Sequence, residues 1–226
     1  NTNYEDMNFI EKIKKLQNYF QLGHFKNVIE GCAKLNKKFP NNSFILNLSG
    51  MAYQGLLNHH KAIYFFELSI KADNSNIAAM NNMANSLKNI GEFVKADQIF
   101  KKIISIDSNY INALNNYANL KTEVNDFEGA IELYKRTILI AKKNKIDIKN
   151  FLLHLAKAYQ SLNNKTETIN LLNEILEINP EDINAHKTLN SIYKYSHENK
   201  ETINHISVMD NIFTKDNLSE DQKLVI

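Results

Sequence analysis

The feature that most constrains this chain is a small residue that returns every 34 positions, with one interval of 38. The small residues are Val28, Ala62, Ala96, Ala130, Thr168 and Thr202. A larger residue follows each of them by four positions, a separation that brings two side chains to the same side of a helix. These larger residues are Cys32, Phe66, Phe100, Tyr134, Leu172 and Ile206. A chain with such a period is expected to fold as stacked copies of one structural unit.

A second amphipathic segment precedes each of these helices. In its clearest form it places Leu46, Ser49, Gly50 and Tyr53 at positions i, i+3, i+4 and i+7, which share one helical face. Corresponding sets begin at Met80, Leu114, Leu152 and His186. Each repeat is therefore predicted to be a pair of helices. The scarcity of Gly (6) and Pro (2) agrees with this, because all-β folds need many tight turns.

These patterns resemble the tetratricopeptide repeat, a 34-residue helical hairpin with Leu-Gly and Tyr on its first helix and Ala and Phe on its second. Pro40 and Pro180 stand where that family ends its second helix. The resemblance covers nearly the whole chain and implies an all-α fold, a right-handed superhelical solenoid of about six repeats. The predicted repeats are residues 9–42, 43–76, 77–110, 111–148, 149–182 and 183–216, followed at 217–226 by the start of a further helix or a linker.

Three repeats depart from the pattern. The first carries Lys12 and Lys15 at normally apolar positions, and the last has lost its usual turn, aromatic and Ala residues. The fourth has four extra residues, which we place in a longer helix end within 142–148. Degenerate first and last repeats are typical of the ends of an array. Such an end could cap the array or pair with a second copy, so a homo-oligomer is left open.

Charge and cysteine content narrow the range of partners. A net charge of +2 gives no basic excess of the kind that nucleic acids or anionic membranes attract, so neither is expected as a partner. No apolar run approaches the roughly 20 residues that a membrane span needs. The single Cys32 excludes an intrachain disulfide and a thiolate-rich metal site. A reducing compartment fits this composition, and we expect a cytoplasmic protein.

Asparagine recurs on the side of the first helices that is opposite the apolar face. In the resembling family, first helices line a concave groove, so these positions are candidates for binding an extended peptide or a partner protein. A carboxamide can pair with both the N–H and the C=O of a peptide backbone. The candidate residues are Asn81, Asn82, Asn85, Asn89, Asn112, Asn115, Asn116, Asn119, His154 and Lys157. The alternative is a solvated face, because the chain is rich in Asn everywhere. With Lys157 as the one clear cation there, a clamp for a C-terminal carboxylate is disfavoured.

No pattern in the chain indicates catalysis. There is no Gly-rich phosphate loop and no His-Glu-x-x-His zinc motif, so neither a cofactor nor a metal is expected. Cys32 occupies a packing position in its repeat and is interpreted as a small buried apolar group. The chain itself is predicted not to be an enzyme.

The C-terminal segment raises a second hypothesis. Ser219 to Gln222 has the form of a helix capping box, and the helix that it opens has barely started at Ile226, so we expect the natural protein to continue. Residues 192–221 resemble the junction in bacterial repeat-containing sulfotransferases, where a tetratricopeptide array precedes a domain that uses the sulfate donor PAPS. The resemblance implies that this chain presents substrate or drives dimerisation for a catalytic domain beyond residue 226.

Overall fold

The structure is a computed structural model that describes residues 2–193, 205 and 207–212, with side chains from residue 8 onward. Eleven helices and no strand occur in the described ranges up to residue 193, which confirms the predicted all-α class. The helices are α1 Thr2–Gln21, α2 Phe25–Lys38, α3 Ser43–Gly55, α4 His59–Ala72, α5 Ile77–Asn89, α6 Phe93–Ile106, α7 Ile111–Glu123, α8 Phe127–Lys143, α9 Lys149–Ser161, α10 Lys165–Ile178 and α11 Ile183–Tyr193. Residues 207–212 are also helical.

The chain divides into two compact units, Asn1–Leu120 (unit 1) and Lys121–Ile226 (unit 2), and the boundary falls inside α7. In unit 1 the second helix of a repeat packs on the first helix of the next repeat, as α2 does on α3 and α4 on α5. Unit 2 shows the same succession, because α8 packs on α9, α9 on α10, and α10 on α11. α8 has 17 residues where α10 has 14, so the fourth repeat ends in a longer helix.

Short polar side chains begin many of these helices. The carboxamide oxygens of Asn42, Asn58 and Asn76 accept a hydrogen bond from the backbone N–H three residues on, at 2.9–3.1 Å. Asp126 does the same for α8. Each bond satisfies one of the N–H groups that a helix leaves unpaired in its first turn.

The turn inside each hairpin needs a residue in the left-handed region. Five residues with φ between 53° and 82° stand at equivalent places between the two helices of a repeat. They are Gly23, Leu57, Gly91, Asn125 and Asn163. Gly and Asn tolerate this conformation, whereas Leu57 is a branched side chain held where its Cβ is crowded.

The core follows the predicted periodicity. The small residues Ala62, Ala96 and Ala130 and the larger Phe66 and Phe100 are fully buried between helices. In the first repeat a cluster of buried apolar residues that includes Ile13, Val28 and Cys32 joins α1, α2 and α3. Among the residues that the structure describes, no helix is both long and apolar enough to cross a membrane. The segment 217–226, the capping box and most of the sixth repeat's second helix lie outside the described residues.

Candidate functional site

The first helices of unit 1 are joined by hydrogen bonds between asparagine side chains. Asn82 Nδ2 on α5 donates to Asn47 Oδ1 on α3 at 3.1 Å. One repeat further along, Asn116 Nδ2 on α7 donates to Asn81 Oδ1 on α5 at 3.0 Å. We call the surface formed by these four residues, together with Asn85, the carboxamide face. The same bond is therefore repeated at equivalent places in consecutive repeats.

These bonds connect residues 35 positions apart, one more than the 34-residue period of the repeats. Side chains at equivalent positions of parallel helices point in the same direction and cannot face each other. A step of one residue turns the side chain by about 100°, which carries it to the flank that meets the neighbouring helix. The asparagines therefore form diagonal cross-links between helices.

Gln54 strengthens the same junction between α3 and α5. Its Nε2 atom donates to the hydroxyl oxygen of Ser86 at 3.0 Å, and it also lies 3.4 Å from the backbone oxygen of Asn82. Ser86 is fully buried, so the bond anchors Gln54 at one end. Asn82 is thus held from two sides, by Asn47 at its side chain and by Gln54 at its backbone.

A cavity of about 360 Å³ adjoins the carboxamide face between α1 and α3, and Gln17 and Gln21 of α1 form part of its polar lining. Its apolar walls are Phe20 on α1 and Phe44, Leu48 and Met51 on α3. Asn47 belongs to both features, because its Nδ2 donates to the Met51 sulfur at 3.7 Å while its oxygen accepts from Asn82. Phe44 is 45% exposed, so part of its ring is open to solvent.

The predicted site residues of unit 1 differ in how far they reach solvent. Asn81 is buried, at 5% exposure, and its oxygen is used by Asn116. Asn89 and Asn112 are exposed. Asn115 is half-buried and its side-chain oxygen is enclosed without a hydrogen-bond partner among the described residues. The half-buried group also contains Asn82, Asn85, Asn116 and Asn119.

Sequence reasoning missed Phe20 and Phe44. Both are apolar residues on amphipathic helices, which from periodicity alone read as core. One signal could have revealed Phe44. It is the second residue of α3 and directly precedes Ile45, which is buried, so the two side chains point in different directions. Phe20 carried no such signal, because its exposure depends on how α1 and α3 are placed.

The two predicted residues of unit 2 lie on α9. The His154 ring packs at 5.7 Å from the Tyr134 ring, and its Nδ1 atom is enclosed without a partner among the described residues. Burial, and in smaller part the charge of Lys157, lower the pKa of His154 below its ordinary value. Lys157 itself is exposed.

No three His, Cys, Asp or Glu side chains among the described residues are grouped to hold a metal ion. Cys32 is buried at 1% exposure in the core of the first repeat, and burial raises the pKa of its thiol to about 11. A thiol in that state is a poor nucleophile at neutral pH.

A succession of helical hairpins with small residues buried between the helices is typical of helical repeat proteins. Residues 77–110 and 150–182 match the family model for the tetratricopeptide repeat. The chain therefore contains tetratricopeptide repeats, as the sequence predicted.

Solved structures support the same fold. The chain is similar to PilF of Pseudomonas aeruginosa, with a TM-score of 0.76 and 11% identity over 92% of each chain. It is similar to a tetratricopeptide repeat protein of Parabacteroides merdae, with a TM-score of 0.70 and 16% identity over 93% of this chain and 81% of that one. MamA of Desulfovibrio magneticus gives a TM-score of 0.66 and 15% identity over 77% and 97%. No curated protein matches the sequence.

Proposed function

We propose that the chain is a protein-interaction scaffold that binds an extended peptide on the carboxamide face of unit 1. The observation that carries this proposal is the pair of equivalent bonds, Asn82 to Asn47 and Asn116 to Asn81. They orient two carboxamides in the same way, one repeat apart. A regular row of oriented amides is suited to a ligand that is itself regular, such as a peptide backbone.

Asn82 and Asn116 keep hydrogen-bonding capacity after making these bonds. Each side-chain amide donates one hydrogen bond to an asparagine of the preceding repeat. The side-chain oxygen of each has no partner among the described residues. Asn85 makes no side-chain hydrogen bond within those residues and is half-buried. A carboxamide has two donors and an acceptor, so these three side chains can together pair with backbone N–H and C=O groups of a bound strand.

The apolar part of the cavity beside Asn47 supplies an anchor for one large side chain. Phe20, Phe44 and Met51 would enclose an aromatic or long aliphatic group, and methionine adapts its shape to different occupants. Buried apolar anchors supply much of the binding energy in peptide complexes, while the backbone pairing sets direction and register. The expected ligand is therefore an extended peptide with one large apolar residue at one end of its contact with the asparagines.

A display experiment with random peptides tests this specificity. We expect peptides enriched on the immobilised chain to share one large apolar residue and to vary freely at the positions that meet the asparagines. Binding of a selected peptide is then titrated by fluorescence anisotropy. Enrichment of peptides defined by a common charged motif, with no apolar anchor, would overturn the proposal.

Alanine substitutions locate the site. Replacing Asn82 and Asn116 together should weaken the selected peptide about tenfold, which is about 1.4 kcal/mol. Since these residues also link helices, Asn85→Ala is a second variant that removes no bond within the described residues and should weaken binding as well. Asn18→Ala with Asn170→Ala, two exposed asparagines off the carboxamide face, is the matched control. Equal affinity in all variants would contradict the proposal.

The remaining predictions extend this function. His154 and Lys157 on α9 are proposed to contact a partner of unit 2. A variant with both residues replaced by alanine tests this contact independently of the asparagines of unit 1. The absence of catalysis, the cytoplasmic location and self-association stay predictions. The alternative role, as the leading region of a sulfotransferase, rests on residues 192–221, most of which lie outside the described residues. A phosphate-binding loop encoded after Ile226 would support it.

A further inference from the structure

Two histidines meet in the interior of unit 2. His186 lies on α11, and His205 lies just before the helical stretch 207–212. Their Nδ1 atoms are 2.9 Å apart, and the two residues are only 4% and 8% exposed. The Tyr193 ring stacks on the His205 ring with 6.0 Å between centroids and 9° between planes. The two imidazoles are therefore hydrogen-bonded to each other away from solvent.

The contact belongs to the face by which residues 207–212 dock. His205, Met209 and Ile212 follow one another at i, i+4 and i+7, so they share one helical face, and all three are buried. His186 is the residue of α11 that meets this face where it begins. The stretch thus docks through an apolar face that carries the histidine contact at one end.

Both histidines stand at positions that are apolar in four other repeats. The residues equivalent to His186 are all buried, and they are Leu46, Met80, Leu114 and Leu152. The residues equivalent to His205 are all half-buried, and they are Phe65, Ile99, Leu133 and Leu171. An apolar pair would hold the two helices together without burying polar atoms, at nearly no loss of stability. Packing therefore does not account for two histidines here.

Hydrogen-bond geometry limits how many protons this pair can hold. The Nε2 atom of His186 is 2.8 Å from the backbone oxygen of Pro180, which can only accept, so this nitrogen carries a hydrogen. As long as one of the two rings is neutral, a single hydrogen can lie between the Nδ1 atoms. When both rings are cationic, both Nδ1 atoms carry a hydrogen, and two donors with two positive charges face each other. The contact accommodates one added proton and is broken by a second.

The charged groups nearby do not offset a second positive charge. Asp182, a buried carboxylate at the start of α11, is already bonded to Lys149 Nζ and to the Ala185 N–H, each at 3.0 Å. On α10, Glu174 pairs with Lys142 at 2.8 Å. The other charged side chains on α10, on α11 and in the described residues beside them are exposed, and they are Lys165, Glu167, Glu177, Glu181, Lys187 and Asp210. A doubly charged pair would therefore be buried without compensation, which is strongly unfavourable.

We propose that the two histidines form a pH-sensitive latch, which holds residues 207–212 on α11 at neutral pH and releases them in acid. The released state binds one proton more than the docked state, because both rings can then be cationic. Docking is therefore favoured at neutral pH and weakens as the pH falls below about 6.5, where histidine side chains in water become charged. Release would uncover the apolar face of Met209 and Ile212 together with the surface of α11 beneath it.

Methionine methyl NMR tests the latch, because Met209 is one of only five methionines in the chain. The full chain is labelled at the methionine methyl carbons, and Met209→Leu assigns the signal. Exposure of the methyl group is measured as its relaxation by a soluble gadolinium chelate. We expect this relaxation to rise roughly threefold between about pH 7.5 and about pH 5, as the side chain leaves its buried place. Met80, which is buried in unit 1, is the internal reference and should stay protected.

Two variants remove the proton uptake and keep a means of docking. In His205→Asn the amide Nδ2 lies as many bonds from the backbone as the imidazole Nδ1, and it donates without titrating. His186→Leu with His205→Leu restores the two leucines that the fifth repeat carries at these positions. Both variants should keep Met209 protected at both pH values, and the leucine pair decides if the asparagine variant does not dock. His154→Gln, in the same unit, is the matched control and should leave the response of Met209 as it is.

Four results would overturn the proposal. The first is a Met209 methyl that is equally protected at both pH values, and the second is an unchanged pH response in the leucine pair. The third is exposure of Met80 together with Met209, which would mean that acid unfolds the chain as a whole. The fourth is protection of Met209 that requires added Zn²⁺ and is lost with EDTA, which would make the pair a metal site.

Discussion

Leu57 and Gly91 occupy the same turn in consecutive repeats, and both have positive φ, 58° for Leu57 and 82° for Gly91. Leu57 is 78% exposed, so packing does not explain its conformation. The turn geometry is imposed by the helices on either side. The leucine accepts a backbone conformation that costs an L-residue with a Cβ about 1–2 kcal/mol.

Exchanging these residue types should change stability in opposite directions. Leu57→Gly removes the strain but adds flexibility to the unfolded chain, so we expect a net gain of roughly 1 kcal/mol. Gly91→Leu should lose a similar amount, because a Cβ at Gly91 would have open space around it and only the backbone would be strained. Urea unfolding followed by circular dichroism measures both. A loss of stability in Leu57→Gly would refute the interpretation.

The ring of Phe66 lies against Gly50 at the seam of the second repeat. A Cβ on Gly50 would come within 2.5 Å of the Phe66 Cε1 atom, and Phe66 is fully buried. Gly50→Ala should therefore destabilise the fold by about 1 kcal/mol, since overpacking outweighs the better helix propensity of alanine. In a Phe66→Leu background the same change should cost less. An equal cost in both backgrounds would mean that the ring is not the obstacle.

Two asparagine helix caps that make the same local hydrogen bond are predicted to contribute different amounts to the free energy of unfolding. Asn58 caps α4 through Lys61 N alone and lies in an exposed place, and Asn58→Ala should cost about 1 kcal/mol. Asn76 caps α5 and also donates to the Ser43 hydroxyl at 2.8 Å, linking the start of α5 to the start of α3. Asn76→Ala should cost about 2 kcal/mol, because a partly buried hydrogen bond is lost as well. Unfolding midpoints in urea compare the two, and identical losses would count against the link to Ser43.

Acidification should destabilise unit 2 through His154. The pKa of this ring is below 6.5 in the folded chain, first because it is buried and second because Lys157 is positive. The unfolded chain therefore takes up the proton more readily. The contribution of the neutral ring is fully present above about pH 6.5 and is lost as the pH falls through the folded pKa. His154→Gln should flatten this part of the stability profile. The difference between the two profiles isolates His154 from the other six histidines, and parallel profiles would refute the assignment.

The repeat architecture could be predicted because its evidence is periodic. One small residue per 34 positions, such as Ala62 or Ala96, is enough to locate a helix and the face that it buries. The pairing of asparagines could be predicted only in part, because repeats reveal which positions are equivalent and not which flanks meet. Asn82 and Asn47 are 35 residues apart, one more than the repeat period, so they do not stand at equivalent positions. Whether such a pair meets depends on how the two helices are rotated about their axes. The same limit hid Phe20. Lys12 and Lys15 stand out in the sequence because apolar residues are expected there. That they share a cleft with Lys34 and Lys38 of α2 is seen only in the structure.

The bond between Asn47 and Asn82 also bears on how a partner of this chain could evolve. A carboxamide whose rotation is already fixed loses little further freedom when a ligand arrives, so part of the entropic cost of binding is met during folding. The peptide site that we propose would pair with main-chain atoms and would therefore place few demands on the partner's side chains. Substitutions along most of the partner segment would go unnoticed, and unrelated proteins could acquire affinity by presenting one apolar residue on an unstructured stretch.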